Sequence, residues 1–203
     1  MSILQQLNQE AAGIVSAVQT SLVRVLAGSR GAGAGTIWHP DGLIVTNAHV
    51  VGDGRGLQVA LPDGRNLPAR LLASSREQDL AALMIEADDL PTIPVGDSRT
   101  LQPGAWVTAM GHPWGVRNAA TSGVVIGVGR HLPELPVQGP DWVVVSLHLR
   151  PGHSGGPLFD VGGRLVGINT MMTGPDVGVA VAVDSVKAFL RRALNTQPAT
   201  QYV

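Results

Sequence analysis

From residue 22 to residue 183 the chain is a succession of short apolar runs broken by Gly, Pro and Asp. The runs include LVRVL, GTIW, LIVTNAHVV, LQVAL, ARLLA, LAALMIE, AWVTAM, GVVIGVG, WVVVSLHL, RLVGINTMM and VGVAVAV. Turn signals such as HPDG (39–42) and LPDGR (61–65) lie between them. β-Branched residues suit a pleated, half-buried surface, and runs this short read as strands. Many such runs at fairly regular spacing predict an all-β barrel or sandwich. No strand–helix alternation accompanies them, which disfavours a parallel α/β sheet. Helical spacing is confined to the two ends. Leu4, Leu7, Ala11, Ile14, Val15 and Val18 predict an amphipathic helix over 2–20, either packed on the body or binding a partner. Val186, Phe189, Leu190, Ala193 and Leu194 predict a closing helix with Asp184 as N-cap.

Composition limits what such a chain does. Its 203 residues are 44% hydrophobic and 14% charged, enough for a core and for one domain or two small lobes. The formal net charge is −1 and no basic cluster is present, so nucleic acid is not an expected partner. The absence of cysteine removes disulfides, thiol catalysis and cysteine-ligated zinc. No stretch approaches the roughly 18 apolar residues of a membrane span, and the N-terminus lacks the pattern of a secretory signal. A soluble protein is expected. Its compartment stays open: cytoplasmic if the chain is complete, periplasmic or extracytoplasmic if a signal preceded it.

The stretch GHSGGPL (152–158) sets a serine among glycines. It matches G-x-S-x-G, but Pro157 and a strand-like run follow it and no histidine lies downstream of His153, so the α/β-hydrolase elbow is excluded. The order His, Asp, Ser remains, on an all-β scaffold. His39 falls in a turn signal, His112 in GHPWG, His131 in a polar connection and His148 on a strand near the serine. His49 closes LIVTNAHVV at the rim of a buried strand, where a base is rigidly held; a purely structural histidine fits the same pattern. His153 adjoins Ser154, and adjacent side chains diverge, so loop shaping is its expected role. Most aspartates lie beside Gly or Pro. Asp79 instead stands directly before LAALMIE, where a buried carboxylate needs a partner that His49 would supply.

At these residues the chain resembles the HtrA/Deg branch of the trypsin-like serine proteases. The carrying stretches are TNAHVV (46–51), DLAAL (79–83), TSGVV (121–125), PGHSGGPL (151–158), LVGINT (165–170) and VAVAVDSVKAFL (179–190), over roughly residues 20 to 192. The resemblance implies two perpendicular six-stranded antiparallel β-barrels with a helix at each end: a helical segment over 1–21, barrels over 22–108 and 109–184, and a closing helix and tail over 185–203. It implies His49 as general base, Asp79 as orienting acid, Ser154 as nucleophile, and the backbone N–H groups of Gly152 and Ser154 as oxyanion hole. His148, Leu149, Thr170, Met171 and Met172 are implied as the substrate pocket. The implied activity is endopeptidase cleavage of unfolded or damaged proteins through an acyl-enzyme, after small or medium aliphatic residues, or after an acidic one should His148 face inward. No cofactor or metal is implied; His148 and His153 alone make a weak zinc pair. Homotrimer formation through the N-terminal segment is a further implication.

The chain departs from that family in having His153 where Asn is usual, in the run SLHLR before Pro151, and in showing no PDZ domain after the closing helix. A catalytically silent binding or chaperone module is the alternative, and an esterase on the same machinery a third reading. Val203 at the end raises self-trimming as a hypothesis, beside a simple chain boundary.

Overall fold

The computed structural model describes residues 2–28, 32–130, 132, 135 and 139–195, with Ala32 described by its backbone alone. His131 and the tail over 196–203, including Val203, lie outside the described residues.

The chain opens with α1 (Ile3–Gln19), whose Ser2 side chain and Gln5 form a reciprocal cap at its start. Strands β1 (Leu22–Ala27), β2 (Ala32–His39), β3 (Leu43–Thr46), β4 (Leu57–Ala60), β5 (Asn66–Ser75) and β6 (Leu80–Ile85) follow, with a one-turn helix α2 (Ala48–Val51) after β3. Then come β7 (Trp106–Gly111), β8 (Ala119–Gly129), β9 (Trp142–Ser146), β10 (Pro157–Asp160), β11 (Leu165–Gly174), β12 (Val177–Ala182) and α3 (Val183–Asn195). The first six strands close into one antiparallel barrel in the order β1-β2-β3-β6-β5-β4, and the second six into another in the equivalent order β7-β8-β9-β12-β11-β10. Among the described strands, closure leaves no open sheet edge, one of the ways an all-β chain protects its backbone groups.

Among the described residues, three apolar clusters hold the structure. Val23, Val25, Ile37, Ile44 and Leu83 fill the first barrel; Val107, Val143, Val145, Leu158 and Ala180 fill the second. The third, with Leu43, Val45, Leu80, Met110, Phe159, Ile168, Val179 and Val181, includes buried residues from both barrels. Alternation explains it. Along β3, Ile44 faces the first barrel while Leu43 and Val45 face the seam, so every residue of the strand is buried. The first four residues of β6 and the last five of β12 are buried on both faces in the same way. This seam carries the end of β3 and the start of β6.

The helices sit differently from one another. α3 buries Val183, Val186, Phe189 and Leu190 against the seam. Asp184 is not its N-cap: it lies in the first turn, where its carboxylate accepts from the N–H and hydroxyl of Ser98 and pairs with Lys187. In α1 only Val18 is buried, whereas Ile3, Leu4 and Leu7 are exposed. Strand β10 does not register as an apolar run because it is short and opens with proline, which strands tolerate at their first position. No helix among the described residues is long and apolar enough to cross a membrane.

Candidate active site

The register between β3 and β6 brings the first pair of residues together. Thr46 at the end of β3 lies opposite Ala81 near the start of β6, so the segment leaving one strand runs beside the segment entering the other. His49 therefore sits on α2, one turn beyond the strand rather than at its rim, and Asp79 occupies the turn just before β6. Asp79 has a positive φ of 48°, a conformation that costs a non-glycine residue energy and persists where surroundings fix it. Three bonds do so. The Asn47 side chain donates to the Asp79 carbonyl at 2.8 Å, the His49 N–H donates to its Oδ1 at 3.1 Å, and the Thr170 hydroxyl donates to its Oδ2.

His49 Nδ1 lies 3.0 and 2.8 Å from the two carboxylate oxygens. An ionised carboxylate only accepts, so Nδ1 carries a proton, and in the neutral ring this leaves the lone pair on Nε2. Burial pushes the Asp79 carboxyl up, but the hydrogen bonds from His49 and Thr170 and the nearby imidazole outweigh it and hold the group below its ordinary value. The Asp79 side chain is 16% exposed and that of His49 51%. The acid is enclosed while the imidazole stays open to the cleft.

Ser154 comes from the second barrel, at the tight passage into β10. Its backbone carbonyl accepts from the Ala34 N–H at 2.8 Å, which ties it to the first barrel. Gly155 is required here: its φ is +85°, and a Cβ on it would lie 2.1 Å from the Ala34 carbonyl oxygen. Asn169 fastens the same passage, donating from Nδ2 to the carbonyls of Met110 and Pro157, while its own carbonyl accepts from Gly155 N–H. The Ser154 hydroxyl donates to the Thr170 carbonyl at 2.9 Å. Among the described residues no hydrogen bond joins it to His49, although both side chains line one cavity.

The turn before the serine has a defined form. His153 N–H donates to the Arg150 carbonyl at 2.9 Å, with Pro151 second and Gly152, at φ +106°, third, the pattern of a type II turn. The amides of His153, Gly155 and Gly156 are all bonded to carbonyls, whereas those of Gly152 and Ser154 donate to no protein group among the described residues. His153 Nδ1 lies 3.1 Å from the Arg150 nitrogen, and its ring is buried. Burial lowers the affinity of His153 for a proton below the ordinary histidine value, partly opposed by a bond to the Arg150 backbone. His112 behaves likewise: burial lowers it, the Val23 backbone opposes, and Arg24, Arg117 and His153 lower it further.

A cavity of ≈ 380 Å³ beside Ser154 is lined by His49, Leu149, Arg150, Pro151, His153, Thr170, Met171 and Met172. His148 is not among these residues. His148 is not on a strand, because β9 ends at Ser146; in the segment that follows, Leu147 and Leu149 are buried in the second barrel while His148 Nδ1 lies 2.6 Å from Asp176. Thr170, expected as a pocket residue, also joins Asp79 to Ser154. Asn47 and Asn169 were not singled out by sequence reasoning; their only local signal is a polar residue at the end of an apolar run. No cluster of three or more metal-ligating side chains occurs among the described residues.

The model of the family described as "Trypsin-like peptidase domain" matches residues 33–168. The chain is 40% identical over 157 residues to a "Probable periplasmic serine endoprotease DegP-like" of Halomonas elongata, spanning 76% of this chain and 33% of that protein. It is 38% identical over 165 residues to "Serine protease HTRA2, mitochondrial" of Drosophila willistoni, spanning 79% and 38%. The solved structure "HtrA-type protease AlgW with tripeptide" superposes with a TM-score of 0.83 at 30% identity, over 92% of this chain and 64% of that one. The chain thus spans about a third of the length of the first curated relatives it matches.

Proposed function

Because the chain belongs to the trypsin-like peptidase family, on its HtrA/DegP branch, we propose that it is a serine endopeptidase acting through His49, Asp79 and Ser154. The observation that carries this reading is the His49–Asp79 pair, with Nδ1 on the carboxylate and the imidazole facing the cavity that Ser154 lines. Rotation of the Ser154 hydroxyl away from Thr170 gives Nε2 a proton to accept as the oxygen attacks a peptide carbonyl. The imidazolium so formed is stabilised by Asp79 and returns the proton to the leaving amine; water then releases the acyl group by the same route. The unbonded N–H groups of Gly152 and Ser154 are the donors for the negative oxygen of the intermediate.

The primary cavity supports a small or medium aliphatic residue before the scissile bond, since Leu149, Met171 and Met172 give it apolar walls. The substrates in this reading are segments of unfolded or damaged proteins, because a peptide carbonyl must be free of its own fold to reach the serine and the turn amides together. The exposed apolar residues at the start of α1 support assembly into a homotrimer through that helix.

A silent binding module is the second reading, favoured by the Ser154 hydroxyl resting on Thr170 instead of His49. A fluorophosphonate probe separates the two. The endopeptidase reading expects labelling of the folded protein at about pH 8 that is lost in Ser154→Ala; a folded protein that takes no label overturns it.

A further inference from the structure

A second cavity, of ≈ 210 Å³, adjoins the first across the 150–153 turn, and the two share only Pro151. It is lined by Arg24, Gly33, His112, Trp114, Gly115 and Gly152. Gly33 brings it beside the nucleophile, since a Cβ there would lie 3.2 Å from the Ser154 carbonyl oxygen. On the endopeptidase reading, a peptide whose carbonyl oxygen faces the Gly152 and Ser154 amides places its acyl side in the first cavity. The chain beyond the scissile bond then continues past the turn, toward the second.

The chemistry of that cavity is cationic. Arg24 lies between Val23 and Val25, which fill the first barrel, so its side chain projects outward. Its guanidinium makes no hydrogen bond or ion pair among the described residues, whereas Arg65, Arg99 and Arg164 are each neutralised by a nearby aspartate. Arg150 lies 4.7 Å from the centre of the Trp114 ring and extends the positive wall to the first cavity. Neither cavity has an Asp or Glu in its lining. In a chain of formal net charge −1, this wall is not the consequence of a general basic excess. Trp114 is held at a positive φ of 53° and is 74% exposed, so its indole offers an apolar face beside the arginine.

We propose that this cavity is a leaving-group-side subsite for a carboxylate-bearing residue, Asp or Glu, at the first or second position after the scissile bond. Arg24 reads the charge and Trp114 packs the methylene stem. The subsite rests on the endopeptidase reading above.

The test uses three internally quenched peptides with the same aliphatic residue before the scissile bond, followed by Asp-Asp, Ala-Ala or Lys-Lys. The expected result is a kcat/KM ratio of roughly tenfold for Asp-Asp over Lys-Lys, shrinking as salt is raised toward about 0.5 M. Arg24→Gln brings the ratio toward one and Arg24→Glu inverts it, while Arg70→Gln on the exposed side of β5 leaves it unchanged. Cleavage of all three peptides at equal rates, or a ratio that R24E does not move, overturns the subsite and leaves the endopeptidase reading standing. No cleavage of any peptide together with no fluorophosphonate labelling overturns the endopeptidase reading, and the subsite falls with it.

Discussion

The Ser154 hydroxyl donates to the carbonyl of Thr170 at 2.9 Å, and the hydroxyl of that same threonine donates to the Asp79 carboxylate. One residue of β11 thus touches the proposed nucleophile through its backbone and the proposed acid through its side chain. The two contacts respond differently to substitution.

Thr170→Val removes the hydroxyl but keeps the carbonyl. A hydrogen bond to a charged group is worth about 1.5–3 kcal/mol. If the bond positions the acid, kcat on a neutral peptide falls roughly ten- to a hundredfold with KM little changed. Steady-state kinetics check this, and an unchanged kcat removes Thr170 from the machinery.

Asp79 carries a carboxyl held below its ordinary value of 3.8 in the folded chain, despite the opposing effect of burial. A depressed carboxyl contributes stability that is present above the unfolded value and is lost as pH falls through the folded one. The Tm difference between the native protein and Asp79→Asn is therefore expected to be largest near neutral pH and to shrink on acidification below about pH 4. Calorimetry across that range is the measurement, and a pH-independent difference contradicts it.

His112 and His153 give a dependence of the same sign that sets in at higher pH. Burial holds both below the ordinary value of 6.5, so the unfolded chain binds protons that the folded chain refuses. Stability is then constant above that value and declines as pH falls below it. Denaturant titrations at about pH 7.5 and about pH 5.5 should show this loss, and His153→Asn should reduce it.

Gly152→Ala places a Cβ 2.5 Å from the His112 carbonyl oxygen at a position whose φ is +106°. The turn must change form, and the Gly152 N–H leaves its place. Loss of one such donor costs a factor of roughly 10²–10³ in kcat. Peptide turnover should fall by that much while the variant retains native circular dichroism; full turnover refutes the assignment of this amide.

The pocket is tested by two substitutions on one strand extension. Leu149→Phe narrows the cavity and should shift preference from Leu toward Ala before the scissile bond. His148→Ala, outside the cavity beside Asp176, should leave that preference as it is. Peptide profiling reads both, and a change caused by His148 alone returns that residue to the pocket.

The all-β fold was legible because a short β-branched apolar run bounded by Gly, Pro or Asp is a local signal, and among the described residues eleven of the twelve strands announce themselves this way. The exception, β10, is too short and begins with proline. His49, Asp79 and Ser154 were legible as residue types in suitable local settings. Their association was expected, but its geometry was not legible. That His49 rides on a helical turn, that Asp79 takes a left-handed conformation, that His148 faces Asp176, and that Thr170 joins acid to serine all depend on strand register and on the seam between barrels. The sequence alone determined the strands and the chemical groups available, since propensity and alternation act over a few residues. Only the tertiary structure decided which groups meet, because the bonds uniting positions 49, 79, 154 and 170 form between segments that become neighbours when the barrels close and pack.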